Sequence, residues 1–237
     1  MSEAASCYSI GMEWRVTLHF EVPWSLYRFQ ASGFADACML AVHPLCWRTF
    51  DLQPNDQMFG YGFQAELPEA TLVIEGSSQL LRIIFRPIQH TQGSKQLFTE
   101  LLRAFFDITQ QRRIGKFEFS ANARFELRER QATSTYFDHF RPEDGPENVT
   151  FSSKIQLESA EAIRLEHTTG PYIVRAGVEP VVRSEDLVFF YLFFEAPMQK
   201  VDGEKSVQNA ECVAKKLLQT EQLCLQYLGL DLYTQET

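Results

Sequence analysis

The stretch that gathers the most chemically competent side chains is Tyr136-Phe137-Asp138-His139-Phe140-Arg141. It holds an imidazole, a carboxylate, a phenol and a guanidinium, which could serve as a general base, its orienting partner and groups that steady a developing charge. Read as an extended run, Asp138 and His139 point to opposite faces, so adjacency alone makes no dyad. The competing reading is a polar strand end running into a loop. Tyr136, Asp138, His139 and Arg141 are therefore the candidate catalytic residues, and they define an enzyme as one reading of the chain.

A second group is Cys38, His43 and Cys46. Thiolate and imidazole both ligate zinc, but three ligands without a fourth fall short of a closed site. A turn with a buried cysteine explains His43-Pro44-Leu45-Cys46 equally well, so no metal is expected. A third group is basic: Arg112, Arg113, Lys116, Arg124, Arg128 and Arg130. Between 103 and 130 there are seven basic and four acidic residues. Arg124 and Arg128 fall on one face of an extended strand, beside Ser120 and Asn122, and could take an anion or an acidic partner. Glu118 and Glu126 interrupt that face, which also suits plain cross-strand charge pairs.

Short catalytic signatures are missing. The chain has no phosphate-binding G-x-x-x-x-G-K-[ST], no G-x-G-x-x-G, no G-x-S-x-G and no H-E-x-x-H. No cofactor is implied. His19, His90 and His167 read as isolated polar residues.

The elements that would carry these groups are clearer than the groups themselves. Leu187-Val188-Phe189-Phe190-Tyr191-Leu192-Phe193-Phe194 is the most apolar run in the chain. As a strand it places Phe189, Tyr191 and Phe193 on one face, with Val188, Phe190, Leu192 and Phe194 on the other. Two apolar faces predict a central strand covered on both sides. The aromatics could be core throughout, a subunit interface or the lining of an apolar ligand cavity. Glu185, Asp186 and Glu195 flank the run and discourage it from pairing with other chains.

Met12–Val22 alternates strictly, with Trp14, Val16, Leu18, Phe20 and Val22 on the apolar side, and predicts a half-buried strand. Ser32–Val42 reads as a short helix stopped at His43-Pro44, Phe50–Gly62 as a long loop, and Gln64–Leu67 as the start of a strand. Thr71–Glu75 and Leu80–Arg86 flank Gly76-Ser77-Ser78 as a hairpin. A helix over 94–113 follows, capped by Ser94, with Leu97, Leu101, Phe105 and Ile108 at helical spacing and Gly115 past its end. Lys116–Arg128 is a long strand with Phe117, Phe119, Ala121, Ala123, Phe125 and Leu127 on the core side, and its length predicts a curve or bulge. Thr150–Glu158 is another strand, and Ser159–His167 fits a helix or a strand. Tyr172–Val182 and Leu187–Glu195 pair next. The last helix spans 203–228, capped by Asp202 and stopped at Gly229.

The fold class is therefore α+β: mainly antiparallel sheet with two major helices, 94–113 and 203–228, packed on it. A strand pair followed by a helix occurs over 71–113 and again over 172–228, which is consistent with an internal duplication. The segment 141–148, with two prolines and a glycine, separates halves at 1–140 and 149–237, either as a linker or as a loop. One compact domain fits the length of 237 residues better than two independent ones.

Bulk chemistry narrows the function classes. With 22 basic and 31 acidic residues the net charge is −9, opposite to what phosphate neutralisation needs, so nucleic acid and anionic membrane surfaces are disfavoured. No apolar run approaches the ~20 residues that span a bilayer. Met1–Gly11 lacks the basic start and apolar core of a signal peptide. Five cysteines, with no C-x-x-C pair, then suit reduced thiols in the cytoplasm, and the sequon at Asn148-Val149-Thr150 reads as chance. The leading expectation is a non-catalytic intracellular protein acting through a protein partner or self-association. The alternatives are a module gripping a small apolar ligand between a curved sheet and the last helix, and an enzyme using Tyr136–Arg141.

Overall fold

The computed structural model describes residues 5–20, 49–53, 61–67, 69–76, 79–108, 114–127, 133–139, 152–156, 161–169, 172–197 and 206–232. Among them, eleven strands form one sheet and three helices accompany it. The strands are β1 (Ala5–Phe20), β2 (Thr49–Gln53), β3 (Tyr61–Leu67), β4 (Ala70–Gly76), β5 (Leu80–Pro87), β6 (Ile114–Leu127), β7 (Ser152–Gln156), β8 (Glu161–Thr169), β9 (Tyr172–Pro180), β10 (Leu187–Pro197) and β11 (Leu230–Leu232). The helices are α1 (Gln92–Ile108), α2 (Thr133–His139) and α3 (Ser206–Tyr227).

The sheet order is β2-β3-β4-β5-β1-β6-β10-β9-β8-β7, with β11 added beside β1. Every pairing is antiparallel except the parallel β1–β11 contact, where Ala5 faces Leu230. The order is the same read from either end. In each half a long strand is followed by a four-strand meander whose last strand returns to the first, and then by a helix. The repeated arrangement is thus five strands and a helix, larger than the strand pair and helix legible in the sequence. The two long strands, β1 and β6, meet at the centre.

The period-two patterns explain that centre. Trp14, Val16 and Leu18 of β1 and Phe119, Ala121 and Phe125 of β6 all point to one face and are fully buried. The same face takes Leu72 and Ile74 of β4, Ile83 and Phe85 of β5, Val178 of β9 and the even-numbered residues of β10. Helix α1 lays Phe98, Leu101, Leu102 and Phe105 on this surface, α3 adds Ala214, Leu217 and Leu225, with Leu228 just past its end, and the two helices touch. Burying an apolar side chain of this size stabilises the fold by roughly 1.5–3 kcal/mol each, which is why the stripes decide where the helices lie.

Several boundaries differ from the sequence reading, each for a local reason. β1 begins at Ala5, not Met12, because Cys7 pairs with both Leu127 of β6 and Leu232 of β11. Ile10 is an extra residue in its register with β6, between Ser9 and Gly11. α1 starts at Gln92: Thr91 Oγ1 accepts from Ser94 N at 3.1 Å, and Thr91 N donates to Ser94 Oγ at 3.0 Å. This reciprocal pair caps the helix at Thr91, three residues before the expected Ser94. The helix ends at Ile108, and Gly115 lies inside β6 as the residue skipped between His19↔Lys116 and Phe20↔Ile114. It marks a bulge rather than a helix end, the other common use of a strand glycine. In 50–62, expected as a loop, 50–53 belong to β2 and 61–62 to β3. Of the ambiguous 159–167 stretch, 161–167 belong to the strand β8.

The α3 stop is as expected: Gly229 sits at φ 69°, the left-handed conformation glycine adopts without strain, and its N–H donates to Gln226 O at 3.0 Å. α3 itself is Ser206–Tyr227, inside the 203–228 range. Ser32–Val42, Asp202 and the 141–148 segment lie outside the described residues. No described helix is long and apolar enough to cross a membrane.

Candidate functional site

β10 departs most from expectation. Val188, Phe190, Leu192 and Phe194 are buried at 2% exposure or less. Phe189, Tyr191 and Phe193, on the face away from the helices, are only half-buried. The strand is central, as its pairing with β6 and β9 shows, but its two apolar faces are not equally covered.

The neighbours of this aromatic row follow from the register. Phe193 stands between Arg175 of β9 and Ser120 of β6, Tyr191 between Gly177 and Asn122, and Phe189 between Glu179 and Arg124. Beyond β9, Arg164 and Glu166 of β8 face Gly177 and Arg175. Beyond β6, Arg15 and Glu13 of β1 face Ser120 and Asn122. Most of these charges are paired. Arg175 Nε lies 3.0 Å from Glu166 Oε1, Arg164 lies 3.8 Å from Glu179, and Glu13 holds Arg15 at 2.6 Å and Arg86 at 2.8 Å. Arg124 is exposed and has no ion-pair partner among the described residues.

Tyr191 is held in place by a glycine. A Cβ on Gly177 would fall 2.5 Å from Tyr191 Oη and 2.7 Å from Ile163 O, so the ring lies directly on the glycine backbone. Burial pushes the Tyr191 hydroxyl above its ordinary pKa, Arg164 pulls it down and Glu179 pushes it up. This face is not uniformly open. Thr17 of β1 and Ile84 of β5 lie on it and are buried, and exposure rises across β10 and β9 to β8.

On the helix side, a polar cluster escaped the sequence reading. Trp14 Nε1 donates to Glu221 Oε1 at 2.7 Å, and His90 Nε2 lies 3.4 Å from Glu221 Oε2. Glu221 is 1% exposed. The Trp14 ring stacks on Phe85 at 5.7 Å and meets the His90 ring edge-on at 5.5 Å. A buried carboxylate needs such donors to stand desolvation, and this one ties α3, β1 and the β5–α1 connection together. The signal was a lone acid at 221 on the stripe Ala214, Leu217, Leu225, Leu228. His90 is therefore not isolated, nor is His19, whose Nε2 is 3.2 Å from Glu118. The His167 side chain lies outside the described ones.

The candidate catalytic stretch begins on helix α2, not in an extended run. Tyr136 and Phe137 are buried, and Tyr136 Oη donates to Leu228 O at 2.6 Å, satisfying a carbonyl just past the end of α3. Burial raises its pKa, so the phenol is a structural donor. Asp138 is exposed. The His139 side chain and Arg141 lie outside the described parts.

Of the basic candidates, Arg112, Arg113, Arg128 and Arg130 also lie outside the described residues. Lys116 pairs with Glu118 at 2.8 Å and Glu195 at 3.3 Å, and the hydrogen bond to Glu118 raises its pKa. It stands eight residues from Arg124 along β6, about 27 Å in a strand, so the two do not share a site. Cys38, His43 and Cys46 are not among the described residues, and in those described no group of three His, Cys, Asp or Glu is placed to hold a metal.

No family model matches the chain, and no curated protein matches it. A solved structure, the Pseudomonas aeruginosa T6SS protein PA0821, aligns at 12% identity over 90% of this chain and 74% of that one. Its TM-score of 0.27 is below the level of a shared fold.

Proposed function

We propose that this is a non-catalytic intracellular protein that works through protein contacts made by the open face of its sheet, at β10 and its neighbours. The observation that carries this reading is the row Phe189, Tyr191, Phe193, half-exposed on the face opposite both long helices. A contiguous aromatic row rimmed by arginine and glutamate has the anatomy of an interface core with a polar rim. Aromatic residues and arginine are also the types that carry most binding energy at such surfaces. Against this, the phenol of the Tyr136 stretch is committed to the fold.

The test is site-specific photocrosslinking in cells, with p-benzoylphenylalanine at position 193 and, as control, at Leu223, which is 64% exposed on α3. Position 193 is expected to form a covalent adduct with a protein, and position 223 none. Lack of any protein adduct at 193 in a folded, well-expressed variant overturns the proposal.

A further inference from the structure

We infer that the partner on this face is a second copy of the chain, packed sheet to sheet about a two-fold axis running along β10. The inference rests on the protein-contact reading above and adds the identity of the partner.

The register supplies the argument. Reading from β8 through β9, β10 and β6 to β1, one row is Glu166, Arg175, Phe193, Ser120, Arg15. The next is Arg164, Gly177, Tyr191, Asn122, Glu13. The third, from β9 to β1, is Glu179, Phe189, Arg124, Gly11. A two-fold axis along β10 keeps each row and reverses its order. Each aromatic then meets its own copy, as an isologous interface requires. Glu166 meets Arg15, Arg164 meets Glu13, and Glu179 meets Arg124. Each of these three pairs is of opposite sign, and Arg124, which has no ion-pair partner among the described residues, gains one. Arg175 meets Ser120. Glu195 meets its own copy, with Lys116 Nζ 3.3 Å away in each chain as counter-charge.

Scale and geometry agree. Five strands at ~4.8 Å spacing and seven residues at ~3.4 Å cover roughly 600 Å² in projection. Side-chain relief takes this towards the ~800 Å² per partner of a standard interface. Packed sheets cross at about 30°, so the axis tilts by about half of that from β10. The long Arg and Glu side chains can span the resulting offset. A partner of uniform charge would find no such match, because basic and acidic residues alternate across this surface.

Sedimentation velocity on the full chain at micromolar concentration tests this. The wild type should run at twice 27.4 kDa. Arg124→Glu and Glu179→Arg should each shift it to monomer, and the double variant R124E/E179R should restore the dimer, all with unchanged circular dichroism. A monomeric wild type overturns the inference, and so does a dimer indifferent to both single changes. If position 193 crosslinks only to other proteins, the inference fails while the protein-contact reading stands. If it crosslinks to none, both fail.

Discussion

At the scale of single residues, Glu221 is the most consequential side chain that sequence periodicity does not explain. Its carboxylate is 1% exposed and accepts the Trp14 indole N–H at 2.7 Å. Glu221→Ala would leave that donor and His90 unsatisfied in the core and should lower unfolding stability by roughly 2–4 kcal/mol. Glu221→Gln keeps an acceptor for the indole and should lose about half as much, read from urea midpoints. Gly177→Ala should cost roughly 1–3 kcal/mol, because its Cβ meets both Tyr191 and the Ile163 carbonyl. Adding Tyr191→Ala should recover only part, since the carbonyl cannot move aside. The thiols of Cys7 and Cys224 are each pushed up by burial from 9.0 to about 12. In the unfolded chain they ionise near 9, so between pH 9 and 12 the unfolded state binds fewer protons and stability falls as pH rises. Cys7→Ala and Cys224→Ala together should flatten that alkaline slope by up to about 2.7 kcal/mol per pH unit in denaturation curves, each thiol supplying about half.

At the scale of elements, β10 shows how one apolar strand can have two fates. Phe190 is fully buried against Phe125, at 6.0 Å between ring centres, while Phe193 on the other face is half-buried. Phe190→Ala should cost about 3–5 kcal/mol through cavity formation. Phe193→Ala should cost less than about 2 kcal/mol, because the ring gives up less buried area. Urea denaturation of the two variants checks this directly, and equal losses would mean that both faces are closed. The strands β1 and β6 and the stripes of α1 and α3 were legible because strict periods of two and 3.6 persist over many residues. Their ends were not. The Thr91–Ser94 cap and the Gly115 bulge depend on hydrogen bonds and register that no periodicity encodes.

At the scale of the molecule, the two halves share their central pairing. β6 lies before the 141–148 segment in sequence, yet it pairs with β10 from Leu187 to Pro197 as well as with β1. A fragment of residues 1–140 would keep β6 but lose its β10 partner, exposing an unpaired edge and half the core. We expect neither 1–140 nor 149–237 alone to give dispersed amide NMR spectra, and the two coexpressed to do so as a complex. A well-folded 1–140 would instead show that the halves are separable domains.

The sequence by itself determined the α+β class, the major strands and helices, the core faces of β1 and β6 and the left-handed stop at Gly229. Local stereochemistry and hydrophobic periodicity are properties of neighbours in the chain. Only the tertiary structure decided which face of β10 is the less covered, that β1 and β6 meet at the centre, and that Glu221 finds Trp14 across 207 positions. These depend on pairings between distant segments, whose partners are set by the closing of the whole sheet.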